Sequence, residues 1–233
     1  MKYILVDYRA KTTLNNRCFK HQTINGIMKS NHQLKIVLAS ASPRRLQILQ
    51  KHGLTAVVMP ADIEEIRQEN EEAKEYVTRL AREKAQTILS QVALENTDLI
   101  LAADTTVVYQ KHILEKPRDY EDASRMLHML SGDSHDVYTG YALIFLPEQQ
   151  WCINYVTTNI TFHTLTEQQI KNYIDSKDPF DKAGGYGIQQ VRDTFVKEIK
   201  GSYYNVMGLP IEEILQKISL RDSKSCKSRQ NGS

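Results

Sequence analysis

Cysteine is scarce: three residues in 233, at positions 18, 152 and 226. They are too scattered for a disulfide framework or a metal quartet, and read as reduced thiols of a cytoplasmic protein. The seven histidines have no ligand spacing, which argues against a structural zinc site. No apolar run approaches the roughly 20 residues needed to cross a bilayer, so no membrane partner is expected. Internal repeats are also absent. What remains is an ordinary globular composition, 41% hydrophobic and 25% charged, with length for one substantial domain or two lobes. The formal charge of +2 hides an uneven distribution: residues 1–33 carry a net +5 and residues 221–233 a net +3, leaving −6 on the core. An acidic core argues against a nucleic-acid groove, whose affinity requires clustered positive charge.

Four segments carry chemistry. The apolar run Ile36-Val37-Leu38-Ala39 leads into Ser40-Ala41-Ser42-Pro43-Arg44-Arg45, and Leu46, Ile48 and Leu49 follow at helical spacing. This predicts a strand, a tight turn and a helix capped by Ser42, with Pro43 in its first turn and Gly53 at its end. Arg44 and Arg45 then stand where free backbone N–H groups and the helix dipole favour an anion. They form either a polyphosphate site or a solvated basic pair. The unbroken run Leu99-Ile100-Leu101-Ala102 predicts a strand buried on both faces, with Asp104 emerging at its C-terminal end, the edge where α/β proteins bind ligands. As a lone residue, Asp104 also fits a turn or a cap.

A helix is expected over about 71–92, with Tyr76, Leu80, Ile88 and Val92 on one stripe and Lys84 on the same stripe. That lysine either snorkels from the helix edge or reaches into a cleft toward a phosphate. The segment from Asp178 to Gln189 is rich in glycine and charge, as suits close approach of a ligand to the main chain, or a flexible hairpin. Spacing assigns no role to Asp181 or Lys182.

Strands are expected near 35–40, 55–59, 98–103, 141–146, 151–162 and 194–199, and helices near 43–52, 71–93, 119–130, 167–176 and 210–219. Thr166 with Gln169 suggests a capping box, and Pro210 suits the start of the last helix. The fold class is α/β. Residues 221–233, polar and almost without apolar side chains, read as a disordered tail. Residues 1–33 read as an N-terminal extension, disordered or upstream of the true start; Met28 would give a shorter beginning.

Taken in order, Ser-Ala-Ser-Pro-Arg-Arg at 40–45, Asp-Ile-Glu-Glu at 62–65, Arg-Leu-Ala-Arg-Glu-Lys-Ala at 79–85, Ala-Asp-Thr at 103–105 and Leu-Glu-Lys-Pro at 114–117 resemble the motifs of the Maf family of nucleoside triphosphate pyrophosphatases. The likeness continues through Leu130-Ser131-Gly132, His135, Thr139-Gly140, the Asp-Lys-Ala-Gly segment ending at Gln189, Gly201-Ser202-Tyr203 and Met207-Gly208-Leu209-Pro210, covering about residues 34–220. It implies a long mixed sheet flanked by helices, with two lobes around a cleft, similar to the inosine triphosphatase fold. It also implies cleavage of a triphosphate between its α and β phosphorus atoms. Asp104 would accept the proton of the attacking water; Ser40, Ser42, Arg44, Lys84, Lys116 and Lys182 would hold phosphate. Glu65, or the adjacent Glu64, would join Asp104 in contacting Mg²⁺ or Mn²⁺.

Arg45, Thr105 and Gln189 match the branch of the family that acts on dTTP and UTP. Gly185 and Gln190 depart from that branch, which often has Ala and Gly there. The alternatives are an enzyme for 7-methyl-GTP or another non-standard nucleotide, and a nucleotide-binding regulator of cell division with little catalysis. The implied partner is a nucleoside triphosphate, with a homodimer left open.

Overall fold

The computed structural model describes residues 34–230, without the side chains of Leu94 and 222–230. Expectations for residues 1–33 and 231–233 lie outside the described residues. Seven strands form one mixed sheet: β1 (Ile36–Leu38), β2 (Ala56–Val58), β3 (Leu99–Tyr109), β4 (His112–Leu114), β5 (Ser134–Phe145), β6 (Gln150–Phe162) and β7 (Val196–Lys200). Their order is β2-β1-β3-β5-β6-β7, with β4 beside β3. β1 is parallel to both β2 and β3, whereas β3, β5, β6 and β7 run antiparallel to one another in sequence. The α/β class and flanked mixed sheet are as expected.

The helices are α1 (Pro43–Lys51), α2 (Ala73–Leu89), α3 (Tyr120–Leu130), α4 (Glu167–Asp175), α5 (Ile188–Val191), α6 (Tyr203–Val206) and α7 (Ile211–Gln230). Strand alternation sorts the core into two layers. Val37, Ala39, Ile100, Ala102, Ala142 and Ile144 pack with Ala81, Ala85 and Ile88 of α2. Ile36, Leu38, Leu99, Leu101, Ala103 and Leu143 face the other way, against Ile48, Leu127, Ile170, Ile214 and neighbouring side chains. Thr166 and Gln169 form the expected capping box on α4, each accepting from the other's backbone N–H at 3.3 and 2.9 Å.

The departures follow from polarity. β3 continues through Asp104 to Tyr109, so Asp104 lies within the strand rather than at its end; the β-branched Thr105, Thr106, Val107 and Val108 sustain it past the first charge. β5 begins at Ser134, well before the expected 141, because its polar half is paired residue for residue with β3 and β6. The short β4 carries too few residues to signal itself. α7 is described from Ile211 to Gln230, and no Pro or Gly interrupts it.

One topological detail creates the site. On the same edge of β3, β1 pairs with residues 99–101 and β4 with residues 107–109, so the sheet forks around residues 102–106. Asp104 and Thr105 sit in that fork, and alternation sends their side chains to opposite faces.

Candidate active site

A cleft of about 550 Å³ opens at the fork. It is lined by every residue singled out from the sequence: Ser40, Ser42, Arg44, Arg45, Glu65, Lys84, Asp104, Thr105, Lys116, Lys182 and Gln189. Glu64, the alternative to Glu65, is exposed and is not part of the lining.

On the α2 face, Lys84 is the pivot. Its Nζ lies 2.6 Å from Asp104 Oδ1 and 2.5 Å from Glu65 Oε1, with its side chain only 8% exposed. The lysine therefore points into the cleft rather than snorkelling from the helix edge. Lys116 Nζ, more exposed, approaches the other Glu65 oxygen at 3.7 Å. Burial pushes the Glu65 carboxyl up, but the hydrogen bond and charge of Lys84, with Lys116 and Arg45, outweigh it and hold the group below its ordinary value.

Close approach of α2 to the sheet makes this geometry reachable. Gly140 pairs with Asp104 across β3 and β5, and a Cβ built on it would lie 2.4 Å from the Val77 carbonyl carbon and oxygen. Only a residue without a side chain lets the helix backbone rest there.

On the opposite face, Arg45 organises the floor. Its Nε donates to the Gly208 carbonyl at 2.8 Å, Nη1 to Ser40 Oγ at 2.8 Å and Nη2 to Thr105 Oγ1 at 3.3 Å. Thr105 Oγ1 lies 3.0 Å from Thr139 Oγ1, which donates to the Asn205 carbonyl. Burial lowers the pKa of Arg45, while the charge of Asp104 opposes that shift.

Ser42 occupies the N-cap position of α1 with extended backbone, but its side chain makes no capping bond. Instead its N–H donates to Ser40 Oγ at 3.2 Å, and the residue lines the cleft. Lys182, 7% exposed, is committed to its own turn: Nζ contacts the Asp178 carbonyl at 2.5 Å, Asp178 Oδ1 at 3.0 Å and Asp181 Oδ1 at 2.7 Å. Arg44 Nη1 donates to the other Asp181 oxygen at 3.2 Å. Burial raises Asp181, but hydrogen bonds from Lys182 and Arg44 outweigh burial and hold it low. Gln189, on α5, stands exposed at the rim.

Sequence reasoning gave no site role to Tyr76, Glu115 or Asp181, all of which line the cleft. Tyr76 Oη donates to the Glu65 carbonyl at 3.0 Å and to Glu115 Oε1 at 3.4 Å. Its place on the Lys84 stripe and the position of Glu115 beside Lys116 were the available signals. Tyr186, which also lines the cleft, is within 2.7 Å of Nε2 of the buried His135, whose Nδ1 has no hydrogen-bond partner among the described residues. Burial lowers His135 to about 3, with the Asp133 charge opposing the shift.

Glu65 and Asp104 converge on one cationic point and offer only oxygen. Among the described residues no group of three or more His, Cys, Asp or Glu is arranged to hold a metal. Two carboxylates suit a hard divalent ion that keeps waters and takes its remaining oxygens from substrate phosphates, as Mg²⁺ does.

Comparison with known proteins agrees with this architecture. The family described as Maf-like protein matches residues 35–220. A dTTP/UTP pyrophosphatase of Shigella sonnei is 46% identical over 184 residues, covering 79% of this chain and 91% of that protein. One of Clostridioides difficile is 44% identical, covering 78% and 92%. A nucleoside triphosphate pyrophosphatase of Shigella flexneri is 45% identical, covering 79% and 91%. With the family's match spanning residues 35–220 and its motif residues gathered at the fork of the sheet, the chain belongs to the Maf family.

Proposed function

We propose that this chain is a hydrolase that cleaves dTTP and UTP between the α and β phosphorus atoms, giving the monophosphate and pyrophosphate. The observation that carries the reading is the Lys84-bridged pair Asp104 and Glu65, set at the sheet's fork beneath the cationic Arg44 and Lys116. Three of the relatives just described bear pyrophosphatase names, two of them with dTTP and UTP as substrates.

Arg44, Lys84 and Lys116 would grip the polyphosphate and stabilise the charge that develops on the leaving pyrophosphate, chiefly by position and electrostatics. Ser40 and Ser42 would add hydroxyl donors. Asp104, restrained by Lys84, would orient the attacking water and take its proton. Lys182 would brace Asp181 and the glycine turn, so that Arg44 keeps its place. A Mg²⁺ or Mn²⁺ ion held by Glu65 and Asp104 would supply charge neutralisation and a more acidic water. Arg45 and Thr105 would shape the floor on the other face, while Gln189 would present its amide to the pyrimidine edge. The setting is cytoplasmic, with residues 34–220 as the catalytic domain and a homodimer as the assembly to test by solution mass measurement.

The reading is tested by supplying a panel of triphosphates with Mg²⁺ and measuring pyrophosphate and orthophosphate separately. Pyrophosphate is expected first from dTTP and UTP, with EDTA stopping its release. Orthophosphate as the primary product would defeat the assignment, and a preference for 7-methyl-GTP would place the chain in another branch. Tight binding without turnover would favour a nucleotide-binding regulator.

A further inference from the structure

Glu65 stands on residues 59–72, a stretch containing neither helix nor strand. A carboxylate that meets substrate has to be held within about 0.5 Å, a tolerance that regular elements give more readily than loops. Here two adjacent carbonyls of the loop are fastened to one helix. Tyr76 Oη donates to the Glu65 carbonyl at 3.0 Å, and Arg79 Nη2 donates to the Ile66 carbonyl at 2.9 Å. The two side chains come from the same face of α2, with the guanidinium carbon 5.7 Å from the centre of the tyrosine ring.

The same guanidinium grips the far end of the loop. Arg79 Nε lies 2.6 Å from Glu71 Oε1 and Nη2 lies 2.8 Å from Oε2, a bidentate pair whose acidic member is 8% exposed. Glu71 Oε2 also accepts the Gln68 N–H at 3.0 Å, and Arg67 closes the turn by donating through Nε and Nη2 to the Glu71 carbonyl. Arg79 and Glu71 do not line the cleft, whereas Lys84, further along the same helix, meets Glu65 directly.

We propose that Arg79, with Glu71 and Tyr76, is a positioning residue that fixes the Glu65 loop so that the Glu65 carboxylate faces Asp104 across Lys84. The inference rests on the proposed role of Glu65 toward the divalent ion. Releasing the clamp leaves the phosphate-gripping cations in place but blurs the position of one carboxylate. Its signature is therefore weaker use of the metal rather than weaker grip on the nucleotide.

The experiment compares Arg79→Met, Glu65→Gln and their double variant with the wild-type chain. The readouts are the Mn²⁺ concentration giving half-maximal UTP cleavage, Mn²⁺ binding to protein with a non-hydrolysable UTP analogue followed by EPR, and amide hydrogen exchange over residues 62–68. Arg79→Met is expected to raise the Mn²⁺ requirement roughly tenfold in both metal assays, as outer-shell partners of metal ligands do. It should speed exchange over 62–68 and leave KM for UTP at saturating metal within about twofold. The double variant should show no further shift beyond Glu65→Gln. Glu71→Gln, which keeps the size of the side chain, should reproduce the effect at smaller amplitude and serves if Arg79→Met does not fold. An unchanged Mn²⁺ requirement, or shifts that add fully in the double variant, would overturn the inference. Wild-type metal dependence in Glu65→Gln would instead overturn the role of Glu65.

Discussion

Lys84 and Asp104 meet at 2.6 Å, and both are largely withdrawn from solvent. Asp104 has no second carboxylate of equal placement to replace it, since Glu65 stands on the loop side of the lysine. Asp104→Asn keeps shape and hydrogen bonding but removes the carboxylate proposed to take the proton of the attacking water. It is expected to lower kcat by roughly two orders of magnitude or more, with the circular dichroism spectrum unchanged. At the rim, Gln189 has a different expected signature. The phosphate grip is common to all triphosphates, so Gln189→Ala should cost about 1–3 kcal/mol in kcat/KM for UTP and much less for a poor purine substrate. Equal losses for both would make Gln189 a support of the glycine turn. The residue types of the site were legible in the sequence because each lies in a short motif. Their partners were not: Tyr76 and Glu65, or Arg44 and Asp181, are joined by tertiary contacts across 11 and 137 positions, which no local pattern encodes.

The element that does most to place the site is β3, and it was only half legible. Its apolar first half, Leu99 to Ala103, announces a buried strand, but the reading ended at the charge of Asp104, where the strand continues. The buried carboxylate is tolerated inside the strand because Lys84 of α2 pairs with it at 2.6 Å. The helical stripe of α2 was readable from its four-residue steps, yet its distance from the sheet was not. That distance depends on Gly140. Gly140→Ala places a methyl group against the backbone at Val77, so α2 has to shift away from β5. The expected cost is about 2–3 kcal/mol of stability, seen as a lower midpoint in urea. Activity should fall as well, because the same shift draws Lys84 away from Asp104. A stable but inactive Gly140→Ala protein would show that the helix moved without loss of packing.

At the scale of the whole molecule, His135 links stability to pH. Folded, burial keeps it neutral down to about 3, whereas the unfolded chain protonates it near its ordinary value of 6.5. Between those values the unfolded state binds the extra proton, so stability falls as pH is lowered through 6.5 toward 3, by up to about 1.4 kcal/mol per pH unit. Above 6.5 this contribution is flat. His135→Gln should flatten that part of the stability profile, measured by urea unfolding at a series of pH values. The charge distribution has a kinetic counterpart. The 233-residue chain is +2, but residues 34–233 alone carry −3, although their cleft is lined with cations. A triphosphate approaching the trimmed protein is repelled at long range and captured only at the cleft, whereas the 233-residue chain attracts it from afar. Trimming residues 1–33 is therefore expected to leave kcat and Tm nearly unchanged while reversing the salt dependence of encounter. Association of a fluorescent triphosphate analogue, followed by stopped flow, should slow with added salt for the 233-residue chain and quicken for the trimmed one. The charge carried by the first thirty-three residues would then set how often substrate arrives at the cleft.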